Sequence, residues 1–254
     1  LPPTPETVTA VAALCFQTES GIPVTPAPHH WLWLQLACDL NIKKLLIIGT
    51  PESAKTTWLL AWAATMIGFY PDWPGIVATV SGPVAETRSA ALQNVVNSAG
   101  FRQLFPDVSR AAGMAQRSDE WSLATDGQPH PGRVHATVRS YGTGGRIIGG
   151  RARWLLGDDL LDHENTRTAH QRETVNTWLH NSLLSRVMAR VGIVRLVGNA
   201  WHHDDPHARI RQSEGWVTCH IPLLSETAEV WATVTYPDNF TGERLGEPVA
   251  GAKL

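Results

Sequence analysis

Lys55 and Thr56 stand side by side near the close of the segment GTPESAKTT, which opens at Gly49 and ends at Thr57. An amine and a hydroxyl behind a turn of small residues suit a polyphosphate. In the pattern G-x-x-x-x-G-K-[ST], backbone N–H groups face the phosphates, the lysine meets the β- and γ-phosphates, and the hydroxyl ligates Mg²⁺. Thr50, Pro51, Glu52 and Ser53 fill the turn, and Ala54 occupies the position of the second glycine. A loop without that glycine needs support from elsewhere in the chain. Taken alone, the segment is equally well a strand–turn–helix connection that happens to contain Ser-Ala-Lys-Thr, and a partner carboxylate decides between the two.

Two acids, Asp158 and Asp159, follow the short apolar run Trp154–Gly157. A Mg²⁺–nucleotide site needs a carboxylate near the metal, usually through water, and a second group to orient or deprotonate the attacking water. Asp158 suits the metal sphere. Asp159 suits the water, at a point where strand gives way to loop and neighbouring side chains are no longer forced to opposite faces. The competing reading makes the pair a helix cap. Asn199 follows another apolar run, Val191–Val197, and could reach the γ-phosphate or the water; a surface turn is its alternative. His202, His203, Asp204, Asp205 and His207 have the composition of a zinc or iron site, and a metal-dependent hydrolase built on them with Asp158 and Asp159 is a rival reading. Contiguous ligands rarely converge on one ion, which favours a strand-end loop with a helix cap at Asp204 or Asp205.

These residues require strands that deliver them and helices that back them. The pattern predicts a helix over Pro28–Leu40, a strand over Lys44–Ile48, a helix over Thr56–Phe69 ended by Pro71, Pro74 and Gly75, a strand over Ile76–Val80 and a helix over Ala85–Ala99. Phe101–Gly132 reads mostly as loop with a strand near Trp121–Ala124. Val134–Arg139 alternates like a strand, Tyr141–Arg153 is rich in glycine and arginine, Glu164–Met188 reads as one long helix, and Val191–Val197 and Trp216–Leu224 as strands. Residues 1–28 form an arm, either loosely attached or with Val8–Phe16 as a helix on the core surface. From Ser225 the pattern dissolves without a further core element. Strands alternating with helices indicate a three-layer α/β fold with a mainly parallel sheet, in which ligands sit beyond the carboxyl ends of the strands.

The 254 residues, 43% of them hydrophobic, suffice for one large core. Three widely spaced cysteines suggest neither a disulfide framework nor a thiolate metal site, and fit a reducing compartment. A net charge of −2 argues against coating nucleic acid through bulk charge, while leaving local DNA contacts open. The most apolar helical stretch, Trp58–Tyr70, is too short to cross a bilayer, so no membrane partner is expected.

Together these motifs resemble the ATPase domain of phage large terminase subunits, motors that drive double-stranded DNA into a capsid. The resemblance rests on the loop at Gly49, the Phe105–Pro106 pair, the T-G-x-x-x-G-R stretch Thr143–Arg151, the strand Leu155–Asp159, Arg186, the segment Asn199–Asp205 followed by Arg209 and Ile210, and Ile221–Pro222. It implies a P-loop ATPase of the helicase and recombinase type over residues 29–224, using ATP and Mg²⁺, with Lys55, Asp159, Arg146 and Asn199 as catalytic residues and Thr56 and Asp158 at the metal. Trp31 and Gln35 become candidates to hold the adenine, with helix packing as the alternative. Family loops commonly carry arginine where Glu52 stands here, so another cation must act. Arg146 and Arg151 are the candidates for a finger reaching a neighbouring subunit, Arg146 first, on a segment expected to be flexible. Asn199 and Ala200 replace the family's Thr-Arg. The resemblance further implies double-stranded DNA, a portal protein and a small terminase subunit as partners, a homo-oligomeric ring such as a pentamer, and the host cytoplasm as location. Residues 225–254 read as a linker toward a nuclease domain that is absent. A nucleotide-binding module without hydrolysis remains the rival from another class.

Overall fold

A computed structural model describes residues 2–18, 20–111, 117–130, 135–222 and 232–244. Helix α1 (Pro5–Cys15) opens on Thr4, whose side chain accepts from Thr7 N–H, with Pro5 in the first turn. Then come α2 (Pro28–Cys38), β1 (Lys44–Ile48), α3 (Lys55–Phe69), β2 (Gly75–Thr79), α4 (Gly82–Asn97) and α5 (Ala99–Leu104). Short strands β3 (Val108–Arg110), β4 (Glu120–Trp121), β5 (Leu123–Thr125) and β6 (Gln128–Pro129) precede β7 (Val138–Gly142) and β8 (Trp154–Asp158). Helices α6 (His163–Thr166) and α7 (Ala169–Trp178) lead to β9 (Ile193–Gly198), α8 (Pro206–Arg211), β10 (Val217–His220) and β11 (Thr233–Thr235).

The main sheet runs β11-β10-β1-β9-β8-β2-β7-β4 and is parallel except at its two edge strands. The fold is therefore three-layer α/β with a mainly parallel sheet. Along β1 the side chains alternate: Leu45 and Ile47 join the core shared with α1, α2 and α3, whereas Leu46 and Ile48 join a second core with Trp178, Leu183 and Ile210. Strand β9 lies between β1 and β8, so the loop, Asn199 and the two acids leave the same end of three adjacent strands. Sequence order separates them; hydrogen bonding brings them within two strand spacings, roughly 10 Å.

Several expected boundaries change. Of the two readings of the N-terminal arm, the packed one holds: Val8, Val11 and Ala12 of α1 are fully buried in the core with α3. The single helix over Glu164–Met188 is broken: Asp162 caps a first short helix, Thr168 starts a second through a reciprocal cap, and the chain then widens into a π turn (Leu179–Leu183) and tightens into a 3₁₀ turn (Leu184–Arg186). The strand placed at Val134–Arg139 is β7, shifted toward Gly142, and Val134 lies outside the described residues. The strand placed at Trp216–Leu224 is β10, and Leu224 also lies outside them. Core elements do not end there: β11 adds to the sheet with Val234 buried, and Tyr236 and Phe240 pack on the core. The rest of the expected linker, 225–231 and 245–254, lies outside the described residues. Among the described residues no helix is long and apolar enough to cross a membrane.

Candidate active site

The loop from Gly49 to Thr56 makes a tight return from β1 into the N-terminus of α3. Gly49 N–H donates to the Gly198 carbonyl at 3.1 Å, tying the loop to the end of β9. A Cβ at Gly49 would press on the Trp33 ring and the Lys55 stem, so the first glycine is set by packing. Glu52 and Ala54 both hold positive φ, 62° and 55°, the region that glycine enters without strain. Ala54 thus accepts the backbone shape of the glycine it replaces, at a steric cost. Within the loop Ser53 Oγ donates to the Thr50 carbonyl at 2.6 Å, and Lys55 Nζ donates to the same carbonyl. The support that the missing glycine calls for comes from α2: His30, buried, hydrogen-bonds the Ser53 carbonyl at 2.9 Å. Thr57 is half-buried, and Pro51 lines a cleft of about 260 Å³ with Thr50, Asn199, Trp201 and Ile221.

Asp158 is 1% exposed and both its oxygens are engaged. Thr56 Oγ1 donates to Oδ1 at 2.9 Å, and Arg88 Nε to Oδ2 at 3.0 Å. Asp159 has φ of 47°, a turn out of the strand that frees it from the alternation that would send it to the opposite face. Burial, then the neighbouring Asp158 charge, pushes its carboxyl up to about 6, against the pull of Lys55 and Arg88. Burial lowers the Lys55 amine, opposed by Asp159 and Asp158. Neither acid caps the next helix; Asp162 does. Asn199 Nδ2 reaches Asp159 Oδ1 at 3.5 Å, linking the end of β9 to the second acid.

The histidine-rich segment is a cap. Asp205 accepts from Ala208 N–H at the start of α8, and from Trp201 and His202 N–H, each at 3.0 Å or less. Asp204 pairs with Arg209 at 3.0 Å. Among the described residues no group of three or more His, Cys, Asp or Glu side chains is placed to hold a metal ion, so the metal-hydrolase reading is not favoured.

The glycine-rich segment, expected to be flexible, is pinned. Trp178 Nε1 donates to the Gly145 carbonyl at 2.8 Å, and buried Arg139 donates to the carbonyls of Gly149 and Arg151. A Cβ at Gly150 would overlap the Arg139 guanidinium, so the glycine lets the loop wrap it. Arg151 itself bonds the Ser185 carbonyl at 2.7 Å. Arg146 is exposed, beside the exposed Ile148. Gln35 is exposed and Trp31 half-buried on α2, the helix that reaches the loop through His30.

No protein-family model matches the chain, and no curated protein does. Solved structures do. The chain is similar in fold to phage large terminases. It aligns with the HK97 bacteriophage large terminase at 12% identity and a TM-score of 0.56, covering 89% of this chain and 46% of that one. It aligns with a variant of the Thermus phage P74-26 large terminase ATPase domain at 13% identity and a TM-score of 0.52, covering 78% of this chain and 70% of that one. The chain thus spans about half the length of the HK97 protein.

Two site residues escape sequence reasoning. Arg88 sits in the middle of α4, far from any motif, and joins the site because β2 pairs with β8. His30 belongs to a His-His pair ahead of an apolar run, where no spacing rule marks it. Chemically, the arrangement offers a loop and a helix N-terminus to an anion, paired oxygen donors at Thr56 and Asp158, and a carboxylate at Asp159 with proton affinity near neutrality.

Proposed function

We propose that the chain is an ATP-hydrolysing motor domain of a viral large terminase, which drives double-stranded DNA into a procapsid. The observation that carries this reading is the 2.9 Å hydrogen bond between Thr56 Oγ1 and Asp158 Oδ1, residues 102 positions apart. It joins the loop to the acid that a Mg²⁺–nucleotide site requires. A hydroxyl and a carboxylate are hard oxygen donors, and they fit Mg²⁺; Thr56 and Asp158 would hold it, the carboxylate through water. When bound, the ion would neutralise charge on the β- and γ-phosphates. Lys55 supplies the amine to those phosphates, with backbone N–H groups of the loop, Gly49 to Thr57, around them. Asp159 accepts the proton of the attacking water, a task its raised proton affinity suits. Asn199 senses the γ-phosphate through its contact with Asp159.

Arg146, on its pinned loop, serves as the finger for a neighbouring subunit in a ring of this chain, which acts with portal protein and small terminase subunit in the host cytoplasm. DNA contacts are made to the backbone by cations, without base reading.

Steady-state phosphate release from the purified chain tests the site. Lys55→Ala and Asp159→Ala each lower turnover about 100-fold or more, as loss of a charge-stabilising or proton-accepting group does. Lys55→Ala also weakens ATP binding, while Asp159→Ala leaves it near parental. Unchanged turnover in both variants sinks the site; binding without turnover in the parent means a nucleotide-binding module. For Arg146, mixing Arg146→Ala with Asp159→Ala subunits restores part of the turnover, and absence of rescue counts against the finger.

A further inference from the structure

We propose that Arg88 is the arginine that the chain supplies to its own nucleotide, from α4 instead of from the loop, with Asp158 as the residue that orients it. This rests on the nucleotide reading of the same site. The loop itself offers no arginine: its residues are Gly49, Thr50, Pro51, Glu52, Ser53, Ala54, Lys55 and Thr56, with Lys55 its one cation and Glu52 an acid. Strand β2 pairs with β8 so that Thr79 stands beside Asp158, and α4 rises from the end of β2. That places the Arg88 side chain over the acidic pair, with Nε held on Asp158 Oδ2 at 3.0 Å.

A guanidinium has five donors in a fixed fork. Among the described residues only Nε is engaged, the two terminal nitrogens making no hydrogen bond to them, and the side chain is 31% exposed. One edge is thus anchored on a carboxylate while the other stays free for an anion, the bidentate recognition to which a phosphate is suited. The same Asp158 accepts from Thr56 on its other oxygen, so the arginine and the α3 hydroxyl flank one carboxylate. Lys55 and Arg88 are the two cations whose charge acts on Asp159. Arg88 thus adds a second protein cation beside the acids, together with Lys55. The contact matters most when charge spreads over the transferred phosphoryl group.

The test compares ADP with ADP plus aluminium fluoride, an analogue of the transferred phosphoryl group, both with Mg²⁺, by titration calorimetry on the full chain. Arg88→Ala binds ADP within about threefold of the parent but loses at least tenfold in affinity for ADP–aluminium fluoride, and kcat falls about 100-fold with KM for ATP little changed. Because Arg88→Ala also strips a buried carboxylate of its partner, Arg88→Lys is measured beside it. Lysine keeps the charge on Asp158 but cannot hold the acid and reach the phosphate at once, so it folds and shows the same selective loss in smaller measure. Equal losses for both ligands, or kcat above a third of parental in folded Arg88→Lys, overturn the proposal. Parental chain that binds neither ligand, with Lys55→Ala indistinguishable from it, overturns the nucleotide reading and this inference with it.

Discussion

The imidazole of His30 bridges two backbones: Nδ1 accepts from Ala27 N–H at 2.9 Å, so the proton sits on Nε2, which donates to the Ser53 carbonyl at 2.9 Å. It packs against the Trp58 ring at a centroid distance of 5.1 Å. One buried ring thus fastens the start of α2 to the residue before Ala54, where the loop lacks its glycine.

Removal of that ring is expected to loosen the loop and open a cavity. His30→Ala lowers unfolding free energy by roughly 2–3 kcal/mol, the scale of a buried ring plus a lost hydrogen bond, and weakens ADP binding by about tenfold or more. Urea unfolding and calorimetry measure the two. Burial, the largest cause, lowers the His30 pKa to about 4 from an ordinary 6.5. The unfolded chain therefore binds the proton more readily, and the stability this histidine contributes is present above pH 6.5 and lost as pH falls toward 4. The pH slope of stability in that window is shallower in His30→Ala.

Ala54→Gly relieves the left-handed strain at φ 55°. Against the extra entropy of glycine in the unfolded chain, a net gain of about 0.5–1 kcal/mol is expected, some 1–3 °C in Tm for a chain of this size. Ala54→Val, β-branched at the same φ, goes the other way by more than 1 kcal/mol. Thermal unfolding of the three proteins side by side decides; a stabilised Ala54→Val would contradict the backbone assignment.

On the proposed reaction, Asp159 is expected to govern the acid limb of activity. With its carboxyl pushed up to about 6, mainly by burial, turnover rises with pH through that value as the base form appears. Its effect on stability has the opposite sense. The folded state holds this proton more tightly than the unfolded chain does, so stability falls as pH rises from about 4 to 6 and the full cost is present above 6. Asp159→Asn is consequently more stable than the parent at pH 7.5, by roughly 1–2 kcal/mol, and equal to it near pH 4. A variant no more stable at pH 7.5 would count against the raised value.

Arg195 is fully buried in β9 and donates to the carbonyls of Ala37, Asp39 and Ile42, where α2 ends. Arg195→Met removes the guanidinium from those carbonyls, of which Asp39 keeps the Ile42 N–H, and is expected to cost about 3 kcal/mol or more, with ADP binding weakened through α2 and His30. Equilibrium urea curves read the first effect and calorimetry the second.

Much of this molecule was readable along the chain. The acids Asp158 and Asp159, and Asn199, each stand just past an apolar run, and Lys55 and Thr56 close the loop that follows another; a short apolar run bounded by turn residues is consistent with a buried strand. Helices α3 and α4 were legible for a similar reason, through their punctuation by proline and glycine. The break inside Glu164–Met188 was not, because Thr168 interrupts the helix only through a cap of a few residues that periodicity averages over. Arg195 was hidden inside a run read as apolar, since the carbonyls of Ala37 and Asp39 that satisfy its buried guanidinium lie more than 150 residues away.

By itself, then, the sequence determined which residues end which strands and what chemistry those ends could carry, because backbone propensity and burial act over a few neighbours. The order β1-β9-β8-β2 was decided only in the tertiary structure. That order comes from packing long crossovers against both faces of a sheet, and it brings Thr56 to Asp158, Asn199 to Asp159 and Arg88 over the acids, while the packing of α2 on the loop brings His30 to Ser53. A side chain on a helix has no local signal for the carboxylate it will meet seventy residues away; hydrogen-bond reach of about 3 Å is settled by the fold.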